Sequence, residues 1–175
     1  ETGIGIIPGL GGTQRPTRRI GPALTKYLVL TGQMMGGKGL VDSGMADYFF
    51  ASSEIDEQIK DLVASGDIKT KADRVEPTHL GKFGEWAAVF EAPNALEQLQ
   101  KGTMTGDEAA KAAKKLSFKA PVALALANRL IDEGVNLTLP EALATELANL
   151  HTIFATEDAM LGLTNVGKKV EYQGK

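Results

Sequence analysis

The second half of the sequence repeats apolar residues at the spacing of an α-helix, between residues that favour helix starts. Pro121 can occupy the first turn of one helix, and Thr138 with Glu141 has the spacing of a capping box before the next. The apolar positions that follow these two starts are Val122, Leu126 and Leu130, and then Leu143, Leu147, Leu150 and Phe154. This periodicity predicts a core built from residues 118–127 and 137–163.

Shorter patterns extend the helical prediction to the rest of the chain. Residues 23–32 have helical spacing and end at a glycine, although the same residues are compatible with a strand. Residues 55–65 carry one apolar stripe, formed by Ile55, Ile59, Leu62 and Val63. Thr105 with Glu108 has the spacing of a second capping box, before an Ala/Lys-rich helix.

Two segments are predicted to be non-helical. Residues 45–50 resemble a short strand, and the mostly polar residues 67–86 a long loop. The acidic pair Glu157-Asp158 is expected on a solvated helix face. The predicted fold class is therefore mostly α with one or two short strands.

Composition excludes several classes of function. The chain has 175 residues, enough for one domain with its own core, and its net charge of −3 argues against a nucleic-acid partner. Without cysteine there is no disulfide, thiolate nucleophile or cysteine zinc site, and a cytoplasmic location is predicted. No run of 18 apolar residues occurs, so we predict no membrane span.

Two weaker patterns favour structural roles. His79 and His151 each lack a second ligand at helical spacing, so no metal site is predicted, and a packed or interfacial role is favoured for His151. Residues 32–38 have the spacing of a phosphate-binding loop, but Gly39 stands where a Ser or Thr would hold magnesium. A turn between two short helices is the better interpretation.

The first fifteen residues, ETGIGIIPGLGGTQR, carry the strongest candidate for chemistry. The glycines of 8–13 let the backbone approach a ligand and turn sharply into a helix, whose first N–H groups favour negative charge. Further donors follow, from Gln14, Arg15, Arg18 and Arg19. Glu1 could act as a general acid or base in a desolvated site. On these residues alone, a glycine-rich connector with an incidental glutamate is equally compatible.

These residues also resemble the enoyl-CoA hydratase/isomerase (crotonase) superfamily. The resemblance rests on Glu1, on PGLGGTQR at 8–15, on Arg18 and Ile20-Gly21, on LTG at 30–32 and on GMA at 44–46. Leu139-Pro-Glu-Ala, Phe154-Ala-Thr-Glu-Asp and Gly162-Leu163 are similar to the last helices of that family. The resemblance covers about 1–52 and 117–175.

The resemblance implies roles for individual residues. Glu1 corresponds to the glutamate that handles the proton on the α-carbon of the substrate, and Gly9 to the glycine whose amide helps to hold the attacking water. Pro8 and Leu10 would shape the pocket. Other implied contacts are with the acyl or CoA moiety for Leu150 and Val166, and with CoA phosphates for Lys169.

The resemblance also implies an organisation. The chain would be the C-terminal half of a crotonase-like ββα spiral: the end of the core (1–52), a helical and loop insertion (53–116) and a helical trimerisation region (117–175). A homo-oligomer, a trimer or dimer of trimers, is expected. In the family, the two oxyanion donors and the first glutamate precede the position of Glu1, so we expect the isolated chain to be nearly inactive.

The implied function is hydration of a 2-enoyl-CoA in fatty-acid β-oxidation. CoA would be part of the acyl-CoA substrate, and no cofactor is expected in this chain. NAD would be expected only if a 3-hydroxyacyl-CoA dehydrogenase were fused upstream. An isomerase fragment and a non-catalytic helical assembly module remain as alternatives.

Overall fold

The computed structural model describes residues 1–66 and 82–175, which form a helical fold. A 3-10 turn over Thr2–Ile4 precedes ten α-helices in these ranges: α1 (Arg15–Ile20), α2 (Pro22–Thr31), α3 (Lys38–Asp42), α4 (Ile55–Ser65), α5 (Lys82–Ala88), α6 (Ala95–Lys101), α7 (Asp107–Leu116), α8 (Pro121–Gly134), α9 (Leu139–Phe154) and α10 (Glu157–Thr164). No helix within the described ranges is long and apolar enough to cross a membrane.

The prediction of a mostly helical chain is confirmed, but the short strand at 45–50 is wrong. This segment is irregular, and the described residues contain no strand. An extended segment needs a neighbouring strand to satisfy its backbone groups, and none lies beside it here. Arg19 holds this region instead, donating to the Gly44 carbonyl at 3.1 Å and pairing with Asp47 at 2.6 Å.

Helix α2 lies at the centre of the packing and contacts α1, α5, α7 and α8. Leu24, Tyr27 and Leu30 on this helix are buried. Gly32 ends it in the left-handed region (φ 67°), and its N–H donates to the Leu28 carbonyl at 3.0 Å. The helical interpretation of 23–32 is therefore confirmed against the strand alternative. Residues 33–37 then form the predicted connection between two helices.

An aromatic stack attaches α5 to α2. The Trp86 ring lies parallel to the Tyr27 ring, with centroids 5.0 Å apart, and the Phe90 ring meets Tyr27 edge-on at 6.2 Å. The predicted loop over 67–86 is thus wrong for 82–86, where Phe83 and Ala87 are buried at helical spacing on α5. The rest of that predicted loop, with His79, lies outside the described residues.

The region predicted to be an insertion shares the main core. Val89, Leu99 and Leu116 are buried in the same cluster as Tyr27 of α2 and Leu130 of α8. The domain division made from the sequence remains a prediction. In the described structure, α6 and α7 pack into the core that α2 and α8 share, whereas Phe83 and Ala87 of α5 lie in a second cluster with Ile20 and Leu24.

One predicted capping box forms and the other does not. Before α9, the Thr138 backbone N–H donates to the Glu141 carboxylate at 2.8 Å, as predicted. The Thr105 box is wrong, because Gly106 precedes α7 and Glu108 instead binds Lys111 (2.5 Å) and the Tyr27 hydroxyl (3.2 Å). Burial, with the Glu108 carboxylate nearby, raises the pKa of Tyr27 to about 12.

The apolar stripes predict burial correctly for α8 but not for α9 or α4. Leu126 and Leu130 of α8 are buried, whereas Leu147 and Phe154 of α9 are 68% and 49% exposed. The buried residues of α9 are Ala142, Glu146 and Ile153. Phe118, the first residue of the predicted core, is exposed as well, and so are Ile55, Ile59 and Val63 of α4. Helical spacing identifies an apolar face but does not determine what covers it.

The two ends of the chain are packed against each other through glycines. A Cβ at Gly5 (φ 82°) would lie 2.7 Å from the Cα of Ala159 on α10. A Cβ at Gly162 would lie 2.7 Å from the Tyr172 hydroxyl and would also strike the Ile4 carbonyl. The Tyr172 hydroxyl itself donates to the Gly3 carbonyl at 2.7 Å. Both glycines are therefore required for close contact between backbones.

Asp158 secures the C-terminal tail, which corrects the expectation of a solvated acidic pair. Its side chain is 1% exposed and accepts from the backbone N–H groups of Gln173 and Gly174, each at 2.8 Å. Its own N–H donates to the Lys175 carbonyl at 3.0 Å. Glu157 beside it is exposed. A carboxylate in the first turn of a helix can thus be buried when backbone N–H groups of a distant segment donate to it.

We predict that Gly162→Ala destabilises the chain by about 1–3 kcal/mol, because the added methyl overpacks the contact with Ile4 and Tyr172. The sign is diagnostic, since the same change in an open helix stabilises by roughly 0.5–1 kcal/mol. Gly36→Ala is the control, because a Cβ there has no atom of any described residue within 4 Å apart from its chain neighbours. Urea denaturation measures both variants. Equal stability for the two would contradict the close approach of the chain ends.

Candidate active site

The glycine-rich opening forms a compact double turn that leads into α1. The Gly12 N–H donates to the Gly9 carbonyl at 2.9 Å, and the Gln14 N–H donates to the Gly11 carbonyl at 3.0 Å. Leu10 has a left-handed backbone (φ 56°) and a side chain that is 98% exposed. A Cβ at Gly12 would lie 2.6 Å from the Pro8 Cβ, so the turn requires glycine there.

The inner amides of this turn are bound by a carboxylate from α9. The Gly11 N–H donates to Glu146 Oε1 at 2.7 Å, and the Thr13 N–H and hydroxyl donate to Glu146 Oε2 at 3.0 and 2.5 Å. Glu146 is 3% exposed. The sequence predicted that these amides favour a negatively charged group, and the group that they bind is the Glu146 carboxylate of the same chain.

Glu146 was missed by sequence reasoning, although a signal for it exists. It lies at helical spacing with Ala142 and Ile153, on the face of α9 that is buried. A carboxylate on a buried helix face needs hydrogen-bond donors, since an unpaired buried charge is very costly. The more regular stripe of Leu143, Leu147, Leu150 and Phe154, on the adjacent side of α9, obscured that pattern.

The polar residues that follow the turn also bind the chain itself. Gln14 is 1% exposed, and its Nε2 donates to the Leu130 carbonyl at 2.8 Å. Arg18 donates to the carbonyls of Gly134 (3.0 Å) and Leu137 (2.9 Å), which lie at and beyond the end of α8. The expectation that Gln14 and Arg18 offer donors to a ligand is therefore corrected: both donate to backbone carbonyls in the last turn of α8 or just after it.

The other two arginines of the motif are held as well. Arg15 is exposed, and its Nε donates to the Leu10 carbonyl at 3.3 Å. Arg19 is engaged with Gly44 and Asp47. The glycine-rich motif is thus mainly a structural junction that connects α1, the end of α8 and α9.

Gly9 differs from the inner residues of the turn, Gly11, Gly12 and Thr13, whose N–H groups are bound. Like the next residue, Leu10, Gly9 is exposed, and its N–H has no acceptor in the part of the chain that the structure describes. Pro8 beside it is half-buried. The turn therefore presents a backbone donor at the surface, on a backbone held by the Glu146 contacts. Such a donor can bind a water or a polarised oxygen.

Glu1 lies at the surface on a firmly held backbone. Its carbonyl accepts from the N–H groups of Ile4 (2.9 Å) and Ile6 (3.2 Å). Thr2 is buried, and its hydroxyl donates to the Val29 carbonyl at 3.2 Å. The Glu1 side chain is exposed and forms no hydrogen bond within the described ranges. It is available to a ligand, whereas the turn that follows it is fixed against α2.

The remaining predicted site residues are not brought to one place. Lys169 lines a cavity of about 730 Å³ with Phe118, Lys119 and Tyr172, and its Nζ lies 5.8 Å from the centre of the Phe118 ring. Leu150 is partly buried against the core, and Val166 is 65% exposed. Neither is among the described residues that line this cavity.

The cavity adjoins the segment that begins with Glu1. Tyr172 is bound to the Gly3 carbonyl, and a Cβ at Gly3 would lie 3.1 Å from Lys119 Nζ. Burial, with the charge of Lys115 nearby, lowers the pKa of Lys119. His151 is not among the described residues that line this cavity. It is exposed on α9, so it is not packed within the described chain, and its interfacial role stays a prediction.

Known proteins are similar to this chain in sequence and in fold. The chain is 29% identical to the mitochondrial 3-hydroxyisobutyryl-CoA hydrolase of Bos taurus, over 83% of this chain and 42% of that protein. It is 24% identical to the probable enoyl-CoA hydratase 2, mitochondrial, of Arabidopsis thaliana, over 97% of this chain and 40% of that protein. The chain thus spans well under half the length of these relatives.

A solved structure has the same fold. The carnitinyl-CoA dehydratase from Mycobacterium thermoresistibile superposes with a TM-score of 0.71 at 21% identity, over 94% of this chain and 50% of that chain. The described helices therefore form part of a crotonase fold, as the sequence resemblance predicted. A sequence profile of the enoyl-CoA hydratase/isomerase family matches residues 1–168. The chain belongs to the enoyl-CoA hydratase/isomerase family.

Proposed function

We propose that this chain provides the C-terminal half of an active site that adds water to a 2-enoyl-CoA. The observation that carries the proposal is the Gly9 N–H, which is exposed and without an acceptor in the described ranges, on a turn whose inner amides are bound by Glu146. Family membership, and a relative named as a probable enoyl-CoA hydratase, support this chemistry.

In the proposed reaction, Gly9 and Glu1 act on different atoms. The Gly9 N–H holds the attacking water, whose oxygen forms a bond to the β-carbon of the thioester, while Pro8 and Leu10 shape the pocket. Negative charge moves to the thioester oxygen, which oxyanion donors stabilise. Glu1 gives a proton to the α-carbon, and its carboxylate then takes up the proton that the water loses on attack, so that one H and one OH are added in each turnover.

The CoA moiety is proposed to lie near Lys169, at the edge of the 730 Å³ cavity. The ammonium group would bind CoA phosphates, and Leu150 and Val166 would contact the acyl or CoA chain. CoA is part of the substrate in this proposal, and no resident cofactor is assigned. NAD chemistry would require a fused dehydrogenase domain. The proposed location is the cytoplasm, although the relatives from Bos taurus and Arabidopsis thaliana are mitochondrial.

A second candidate is a helical assembly module, which the exposed apolar side chains favour. These side chains lie on α9, on α10 and just beyond it: Leu147, Phe154, Met160, Leu163 and Val166. Clustered exposed apolar residues mark association surfaces. Assembly and catalysis are compatible, and we propose that this surface forms the homo-oligomer, a trimer or dimer of trimers.

We predict that residues 1–175 by themselves hydrate crotonyl-CoA very slowly, because the oxyanion donors of the family are expected to precede Glu1. Loss of absorbance by the conjugated thioester measures the rate. The reference is the full natural polypeptide that carries this chain. Turnover by the isolated chain close to the reference rate would contradict the prediction.

In that full polypeptide, we predict that Glu1→Gln lowers kcat by about 10²–10⁴-fold, since the amide cannot transfer the α-proton. Assembly is expected to be unchanged. Glu57→Gln, an exposed carboxylate on α4, is the control. Release of the free CoA thiol from 3-hydroxyisobutyryl-CoA tests the hydrolase chemistry named for the Bos taurus relative. Full hydration activity in Glu1→Gln would refute the proposed role, and preferred thioester hydrolysis would replace the proposed reaction.

We predict that Leu147→Glu reduces self-association, because it places a charge on the exposed apolar face of α9. Thr152→Glu is the matched control, since this exposed residue lies on the opposite side of the same helix. Light scattering over a range of concentrations measures the mass. A wild-type chain that stays monomeric and binds no apolar dye would eliminate the assembly surface.

A further inference from the structure

Glu146 is an unusual buried charge, because its partners are amides and a hydroxyl rather than a cation. Its side chain is 3% exposed, and it takes part in none of the ion pairs found among the described residues. All three of its hydrogen bonds come from Gly11 and Thr13. A carboxylate is buried this deeply only where several donors compensate for its lost hydration.

The two oxygens of Glu146 have different partners. Oε1 accepts from the Gly11 N–H, whereas Oε2 accepts from both the N–H and the hydroxyl of Thr13. The carboxylate therefore bridges two parts of the turn. Between them, the Gly12 N–H donates to the Gly9 carbonyl at 2.9 Å. Fixing Gly11 and Thr13 in this way holds the Gly9–Leu10 peptide through the Gly9 carbonyl. The adjoining Pro8–Gly9 peptide carries the Gly9 N–H, which is left at the surface.

Helix α9 gives this contact a rigid base. The helix is sixteen residues long, begins at the capping box of Thr138 and Glu141, and packs on α8. On the other side of the turn, Gln14 donates to Thr13 Oγ1 (2.9 Å) and to the Leu130 carbonyl of α8 (2.8 Å). The turn is thus attached to α9 on one side and to α8 on the other, and these two helices pack against each other.

We propose that Glu146 is a positioning residue, which sets the orientation of the Gly9 N–H toward the attacking water. This inference rests on the proposed hydratase function and adds a residue more than 130 positions from the motif. Glu146 touches neither water nor substrate in the proposal. It acts through the turn, and a small displacement of a catalytic donor is enough to lower a rate by about 10²-fold.

Glu146→Gln is the most direct test, because it keeps the size of the side chain. An amide has one oxygen, so its NH₂ group must face either the Gly11 N–H or the Thr13 donors, and the turn must shift. Thr13→Val removes one donor with little change of shape, and Thr13→Ser retains it. Glu133→Gln is the control, because this exposed glutamate on α8 pairs only with the exposed Arg129 among the described residues.

The experiment uses the full natural polypeptide that carries this chain. We expect Glu146→Gln and Thr13→Val to lower kcat for crotonyl-CoA hydration by about tenfold to a hundredfold, with KM near the wild-type value. Thr13→Ser and Glu133→Gln should retain kcat. Amide hydrogen exchange should become faster at Gly11 and Thr13 in Glu146→Gln, while the amides of α2 keep their protection.

The two readouts separate the two proposals. If the wild-type polypeptide hydrates no enoyl-CoA, the proposed function fails, and amide exchange alone decides whether Glu146 fixes the turn. Unchanged exchange at Gly11 and Thr13 in Glu146→Gln overturns the inference. Faster exchange with an unchanged kcat also overturns it, because the turn would then be held without any effect on the water. A fall in kcat that is matched by lost protection in α2 would show a general structural role instead.

Discussion

The contact between the Glu146 carboxylate and the amides of Gly11 and Thr13 organises the candidate site. It joins α9 to the turn that leads into α1, and Gln14 and Arg18 extend the same network to the end of α8. Because these donors are used internally, the turn leaves the N–H groups of Gly9 and Leu10 without an acceptor among the described residues. The role proposed for Gly9 therefore depends on the Glu146 carboxylate, which does not contact the substrate in the proposal.

The segment that carries Glu1 is held by a second set of contacts. Gly5 and Gly162 allow the backbones of the first turn and α10 to touch, and Tyr172 and Asp158 bring the C-terminal tail to the same place. Each of these contacts joins residues more than ten positions apart. The exposed Glu1 side chain thus projects from a backbone whose position is set by the other end of the chain.

Local signals in the sequence predicted local structure well where no competing partner existed. The Thr138–Glu141 box, the first-turn proline of α8 and the terminal glycine of α2 all occur as expected. The Thr105–Glu108 box has the same spacing, yet Glu108 binds Tyr27 and Lys111 instead. The expected strand at 45–50 fails for a similar reason, since pairing requires a neighbour that no local pattern provides.

By itself, the sequence determined the helical class, the ends of α2 and α4, the starts of α8 and α9, the family and the motif in which Gly9 lies. These follow from periodicity, caps and a glycine pattern, which are properties of neighbouring residues. Only the tertiary structure decided that Glu146 fills the anion-attracting turn, that Asp158 is buried and that the Leu147 face of α9 is exposed. The reason is physical: whether a charge or an apolar face is buried depends on the distant segments that pack against it.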